Sequence, residues 1–310
     1  MQLIGEPAGR IAPPEELVNT LEFEAMAQRK VDSVTFALIA GSERKMFDRI
    51  TFRPRMMVNT AKLDLSCHLL GTPMAAPILA GPIAEQKRFH PEGELATAKG
   101  AAAAKAVVVI PDRSSVPLEQ PAAEAKAGFW FQIAPETSRD RVQQAVAAGC
   151  KAVCLTLSDA PLEWKAIDGL RAGLNVPFVI KGIMRADEAS EAAKRGVQGI
   201  VVSNYTGKAT AGLASPMEVL PSIVEAAGSK TAVMVDGSFR RGSDILMALA
   251  LGARGVMIGR PVMWGLAGYG SIGVQRVLEM LQTELARDMA MCGKPNLAAI
   301  DKATVRVHKW

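Results

Sequence analysis

Eight short apolar runs rich in β-branched residues recur along this chain, and longer alanine-rich amphipathic stretches separate most of them. The runs are Ala76–Pro82, Lys105–Pro111, Gly128–Ala134, Lys151–Leu157, Pro177–Ile183, Gly199–Asn204, Thr231–Gly237 and Gly255–Arg260. They are continuous rather than alternating in polarity, the pattern of strands buried on both faces of a parallel sheet. The intervening pattern predicts helices over Glu92–Ala104, Ser138–Gly149, Ala186–Gly196, Pro216–Gly228 and Ser243–Gly252. Gly149, Gly196 and Gly252 stand just before the next strand, where a helix ends in the left-handed region, and Ser243 with Asp244 marks a helix start. Eight strand–helix units close into a (β/α)8 TIM barrel. An open doubly wound sheet would place G-x-G-x-x-G after its first strand, and Ala80-Gly-Pro-Ile-Ala84 lacks that spacing.

The length of 310 residues suits one such barrel with short additions. Residues 1–75 precede it as an N-terminal extension, with helices expected over Pro14–Arg29 and Ser33–Ala40 and with Pro54 and Pro73 breaking the remainder into extended or turn pieces. The extension is expected to pack on the barrel, cover its base and lend residues to one edge. Residues 76–310 hold the barrel and a C-terminal helix, so the whole is read as a single domain.

The formal charge of +5 comes from lysines and arginines scattered singly, and aromatics make up only 5% of the chain. Nucleic-acid binding is therefore not expected, because neither a basic stripe nor a stacking platform is present. The first residues, Met-Gln-Leu-Ile-Gly-Glu-Pro, do not read as a secretory signal, and Lys99 and Lys105 interrupt the alanine-rich run before it reaches membrane-spanning length. Cys67, Cys150, Cys154 and Cys292 have neither metal-ligand spacing nor a disulfide pattern. They read as free thiols of a cytoplasmic protein without a metal site. His90, in His-Pro-Glu-Gly, reads as a structural hydrogen-bonding residue at a helix start.

Active sites of this fold lie at the C-terminal ends of the strands. Polar residues that interrupt the apolar runs there are Gln132, Thr156, Lys181, Ser203 with Asn204, Asp236 and Arg260. Lys181 closes an otherwise apolar strand, so it needs an anion or an ion pair such as one with Asp236. After the seventh strand comes Asp236-Gly-Ser-Phe-Arg240-Arg-Gly, and after the eighth Ile258-Gly-Arg-Pro261. Glycines beside arginines at these two strand ends read as a phosphate cradle. FMN, pyridoxal phosphate and a sugar phosphate all satisfy that much.

Seven motifs together are more specific: Phe52-Arg-Pro-Arg55, His90-Pro-Glu-Gly-Glu94, Val176-Pro-Phe-Val-Ile-Lys-Gly182, Ile200-Val-Val-Ser-Asn204, Asp236-Gly-Ser-Phe-Arg-Arg-Gly242, Ala248-Leu-Ala-Leu-Gly-Ala253 and Ile258-Gly-Arg-Pro261. In these the chain resembles the FMN-dependent α-hydroxy acid dehydrogenase family of glycolate oxidases and lactate dehydrogenases. The resemblance implies an FMN-dependent oxidoreductase with a small, anionic substrate, and a homo-tetramer, the common assembly of relatives. It implies that Pro82, Ile83 and Ala84 offer backbone to the isoalloxazine ring, that Gln132 and Thr156 bond its pyrimidine edge, and that Lys181 lies near its N1 and C2 carbonyl. Ser203 would contact the ring or ribityl chain. Asp236, Gly237, Ser238, Arg240, Gly259 and Arg260 would hold the ribityl chain and phosphate.

The substrate positions depart from the family pattern. Tyr205 stands where the family has its catalytic histidine, and Lys208 where it has a carboxylate-gripping arginine. Ala134 and Leu38 replace two pocket tyrosines. The stretch after the fourth strand, Ser158–Ile167, is much shorter than the family's lid, and only Lys165 and Arg171 remain there in place of a second arginine. A tyrosine ordinarily titrates near ~10 and a histidine near ~6.5, so tyrosine is the poorer resting base. The lysine lacks the two-pronged grip of arginine. The expected candidates for catalysis are Tyr205, Lys208 and Lys181, in a pocket altered away from simple 2-hydroxy acids; a non-redox FMN-binding barrel is the alternative.

Overall fold

The computed structural model describes residues 9–41, 44–157, 162–205 and 214–308. Eight parallel strands close a barrel: β4 (Ile78–Ala80), β5 (Val107–Pro111), β6 (Phe129–Ile133), β7 (Val153–Thr156), β8 (Phe178–Ile183), β9 (Gly199–Val202), β10 (Ala232–Asp236) and β11 (Gly255–Ile258). Closure is by β11 pairing with β4, where Val256 faces Ile78 and Ile258 faces Ala80. Each strand falls within its expected run but is shorter, because pairing is lost where the chain bends into its loops.

The helices outside the barrel are α3 (Glu94–Ala103), α4 (Glu119–Glu124), α5 (Arg139–Ala147), α6 (Trp164–Arg171), α7 (Ala186–Lys194), α8 (Pro216–Ala227), α9 (Gly242–Ala250) and the helical stretch α10 (Arg260–Met291). α10 is two helices joined at Gly270, whose φ of +60° breaks the helical run. A Cβ there would stand 2.8 Å from His90 Nε2, so glycine is required where His90 packs. His90 Nδ1 also accepts from the Glu92 N–H at 3.2 Å, in keeping with a structural role.

Before the barrel lie α1 (Thr20–Lys30), α2 (Ser33–Ala37), β1 (Ile50–Phe52) and a hairpin of β2 (Cys67–Leu69) and β3 (Thr72–Met74); β12 (Val305–Val307) closes the chain by pairing with β1. The expected helix over 14–29 starts later, at Thr20, because the Asn19 side chain accepts from the N–H groups of Leu21 and Glu22. The second ends at Ala37 rather than Ala40. The helix predicted from Ser243 begins at Gly242, with Asp244 Oδ2 accepting from the Arg241 N–H at 2.9 Å.

The extension divides its work between the two ends of the barrel. Leu69 and Met74 of the hairpin join Leu79, Val107, Val109, Trp130, Ala152, Cys154, Val179, Val201, Met234 and Met257 in the apolar plug inside the barrel. Gly199 and Gly255, first residues of β9 and β11, leave room for Leu70 and Leu69. The hairpin thus closes the N-terminal base. Thr20, Gly41 and Arg44 of the extension instead bond to residues at the opposite end. Among the described residues no helix is long and apolar enough to cross a membrane.

Candidate functional site

Side chains of a strand alternate between the barrel's interior and its helix-facing side. The interior residues Trp130, Cys154, Val179, Val201 and Met234 are therefore followed, two positions on, by Gln132, Thr156, Lys181, Ser203 and Asp236. Strand period alone carries the change from apolar plug to polar mouth, and the expected site residues converge there.

Lys181 is the centre of this ring. It is 3% exposed, with Nζ 2.9 Å from Asp236 Oδ2 and 2.9 Å from Ser203 Oγ. The ion pair considered from sequence is therefore formed. A register shift between Lys181 and Ile183, with Gly182 at φ +118°, bulges β8 at this point and sets the lysine's direction. Asp236 Oδ1 is buried without a hydrogen-bond partner among the described residues. An orphaned carboxylate oxygen at a barrel mouth calls for a ligand hydroxyl or another donor. Gln132 Nε2 donates to the Ile133 carbonyl at 2.7 Å. Cys154, below Lys181, is fully enclosed, and burial pushes its thiol up to about 12.

Beyond Asp236 the chain turns with positive φ at Gly237 (+100°) and Ser238 (+65°). Glycine adopts that region freely and serine does so at a cost. Arg44 holds the turn, donating from Nη1 to the Ser238 carbonyl at 2.6 Å and gripping Asp244 through both terminal nitrogens at 2.8 and 2.9 Å. Asp244 also accepts from the Arg240 N–H at 2.7 Å. Thr20 donates to the Arg240 carbonyl. The guanidinium of Arg240 lies over the Trp264 ring at 4.5 Å and donates to the Gly41 carbonyl at 3.2 Å; Arg260 donates to that same carbonyl.

Burial, and after it the neighbouring Arg260, push the Arg240 guanidinium down to about 9, and burial pulls Arg260 down as well. Both remain charged at neutral pH. Two desolvated cations sharing one carbonyl make a site for an anion. Among the described residues a Cβ at Gly259, which precedes α10, would touch only Ile83 Cδ1 at 3.6 Å, so the backbone just before that helix stays approachable. These residues fit FMN: paired cations for its phosphate, an orphaned carboxylate oxygen for its ribityl hydroxyls, and a buried lysine for the electron-rich edge of its ring.

The substrate side is less enclosed. Tyr205 is 53% exposed; its backbone N–H donates to Ser203 Oγ at 3.3 Å, and Lys181 Nζ stands 5.4 Å from its ring centroid. Lys208 and residues 158–161 lie outside the described residues. Leu38, which caps α2, is 57% exposed. Arg171 is no replacement for a second substrate arginine: it sits at the far end of α6, bonded to Asp168 at 3.0 Å and to the Arg195 carbonyl. Trp164 packs against the guanidinium of Arg195, 5.4 Å from its ring centroid, on the helical side. Sequence reading missed Arg44 and the Gly41 carbonyl, which lie in a charged stretch with no periodic cue.

A model of the FMN-dependent dehydrogenase family matches residues 32–161 and 157–307. An L-lactate oxidase of Nostoc is 35% identical, over 92% of this chain and 96% of its own length. A peroxisomal (S)-2-hydroxyacid oxidase of Arabidopsis thaliana is 32% identical, over 95% and 98%. A crystal structure of mandelate oxidase with (S)-2-phenylpropionate superposes with a TM-score of 0.88 at 32% identity, covering 94% of this chain and 98% of its own. An FMN-fitting barrel mouth with these relatives along almost its whole length places the chain in the FMN-dependent dehydrogenase family.

Proposed function

We propose that this FMN-dependent oxidoreductase oxidises a 2-hydroxy acid-like donor bulkier than the simplest acids, in a pocket rebuilt around Tyr205. The observation that carries the reading is the inward polar ring of Gln132, Thr156, Lys181, Ser203 and Asp236 beside the buried Arg240 and the half-buried Arg260. Bound FMN supplies a ring that takes up two electrons from the hydroxyl-bearing carbon of the donor.

The chain's own groups divide the remaining tasks. Arg240 and Arg260, with the backbone of Gly237, Ser238 and Gly259, hold the phosphate. Asp236 Oδ1 and Ser203 take ribityl hydroxyls. Pro82, Ile83 and Ala84 line the ring, Gln132 and Thr156 bond its pyrimidine edge, and Lys181 keeps a positive charge where negative charge gathers during reduction. The hydroxyl oxygen of Tyr205 accepts the proton of the substrate hydroxyl as the phenol passes its own proton to solvent, which its exposure permits. Lys208 offers a point charge to the substrate carboxylate. Leu38 and Ala134, where the resemblance leads one to expect tyrosines, give the pocket a wider and more apolar wall. The four free cysteines, three of them buried, support a reducing compartment such as the cytoplasm.

The test is the visible spectrum of the purified protein in an anaerobic cuvette, before and after addition of short, branched and aromatic 2-hydroxy acids. Bleaching of bound flavin within seconds by a branched or aromatic acid, and slower bleaching by glycolate, is the expected result. A yellow protein that stays oxidised with every acid would overturn the proposed donor class and leave a non-redox flavin barrel.

A further inference from the structure

Behind the first strand lies a buried polar relay that the proposed roles leave unused. Gln86, Glu94 and Thr97 are each only 2% exposed. Gln86 Nε2 donates to the Ile83 carbonyl at 2.9 Å, and Thr97 Oγ1 donates to Gln86 Oε1 at 2.5 Å. The Gln86 N–H donates to Glu94 Oε1 at 3.0 Å, and Ser115 donates to the other oxygen of Glu94. Thr97 and Glu94 belong to α3, on the helical side of the barrel. The Ile83 carbonyl only accepts, so it takes the nitrogen end of the Gln86 amide and leaves the oxygen to accept from the Thr97 hydroxyl, which braces that orientation.

We infer that Gln86, oriented by Thr97, is a positioning residue that aims the Ala84 N–H into the barrel mouth, toward the ring of bound flavin. The peptide joining Ile83 to Ala84 is planar and trans, so its C=O and N–H point in opposite directions. Gln86 draws the carbonyl outward toward α3. The N–H of Ala84 is thereby turned inward, and among the described residues it donates to no protein acceptor. Glu85 supplies the reversal that lets Gln86 reach back over three residues. Its φ of +57° is a left-handed conformation that a non-glycine residue adopts at a cost, and its N–H is tied to the Arg113 carbonyl at 3.2 Å. A fixed N–H at the flavin ring stabilises negative charge that appears there on reduction or on addition of a nucleophile.

The inference rests on the FMN reading, and the experiment separates the two. The probe is sulfite, which adds to the reactive ring nitrogen of oxidised flavins, titrated against holoprotein by loss of visible absorbance. Gln86→Met keeps the shape and removes both bonds; Thr97→Val removes only the orienting donor. The expected result is FMN affinity within about threefold of wild type in both variants, since the phosphate cradle is remote. Sulfite affinity should weaken about tenfold in Gln86→Met, as loss of one charge-assisted bond implies, and about threefold in Thr97→Val. The flavin midpoint potential should fall in the same order. Sulfite affinity and potential equal to wild type in Thr97→Val, together with an unchanged or unfolded Gln86→Met, would overturn the inference and leave a packing role. A wild-type protein that binds no FMN would overturn the FMN reading itself.

Discussion

The mouth of the barrel has two halves that differ in how they are held. On the cofactor half, Asp244 alone takes two bonds from Arg44 and two from backbone N–H groups, and Lys181 is fixed by both Asp236 and Ser203. On the substrate half, Tyr205 and Leu38 are each more than half exposed. A buried charge without partners is costly, so the half that places cations in a low dielectric must be bonded from several directions at once. An exposed pocket wall has no such requirement and changes residue at little cost to the fold. That difference in bonding is the physical ground for expecting the proposed cofactor residues to be held more tightly than the proposed substrate residues.

The strongest way to break that comparison is Lys181→Met. It strands the Asp236 carboxylate in the barrel mouth, and removing one member of a buried pair costs about 3–5 kcal/mol. Urea unfolding of the apoprotein should show a loss of that size; an unchanged midpoint would mean that the lysine is not structurally coupled to the cofactor half. Tyr205→Phe probes the other half. With the best acid from the spectral panel, flavin reduction in stopped flow should slow about 100-fold, the lower end of general acid–base contributions, with FMN affinity and unfolding midpoint unchanged. If reduction keeps its rate, the phenol carries no proton and the pocket has no acid–base group at that position. Arg44→Met sharpens the cofactor side with a smaller effect. Losing its grip on Asp244 and Ser238 should weaken FMN binding about tenfold, or about 1.4 kcal/mol, as read by recovery of free-flavin fluorescence on dilution. Equal affinity would show that the Gly237–Ser238 turn holds its shape without the N-terminal segment.

Much of this architecture was legible because it is governed by short-range periodicity. All eight expected runs contain a barrel strand, since burial on both faces leaves an unbroken apolar signature. The polar ring was legible for the same reason: Gln132, Thr156, Lys181, Ser203 and Asp236 each end such a run on its inward phase. The first helix start in the extension was misplaced, at 14 instead of Thr20, because a single cap at Asn19 outweighs the propensity of the residues before it, whereas the second fell at Ser33 as expected. Arg44 was not legible at all. Its partner Asp244 lies 200 residues away, and nothing in the local pattern of either announces the other.

Sequence by itself determined the barrel and the flavin family, because each depends on residue type at a fixed spacing within one strand and its loop. Only the tertiary structure decided that Lys181 is paired with Asp236, that Arg44 clamps the Gly237–Ser238 turn, and that Gln86 bonds the Ile83 carbonyl. The first two are a long-range ion pair and hydrogen bond, and their existence depends on which strand ends and helices closure of the barrel brings within about 3 Å of one another.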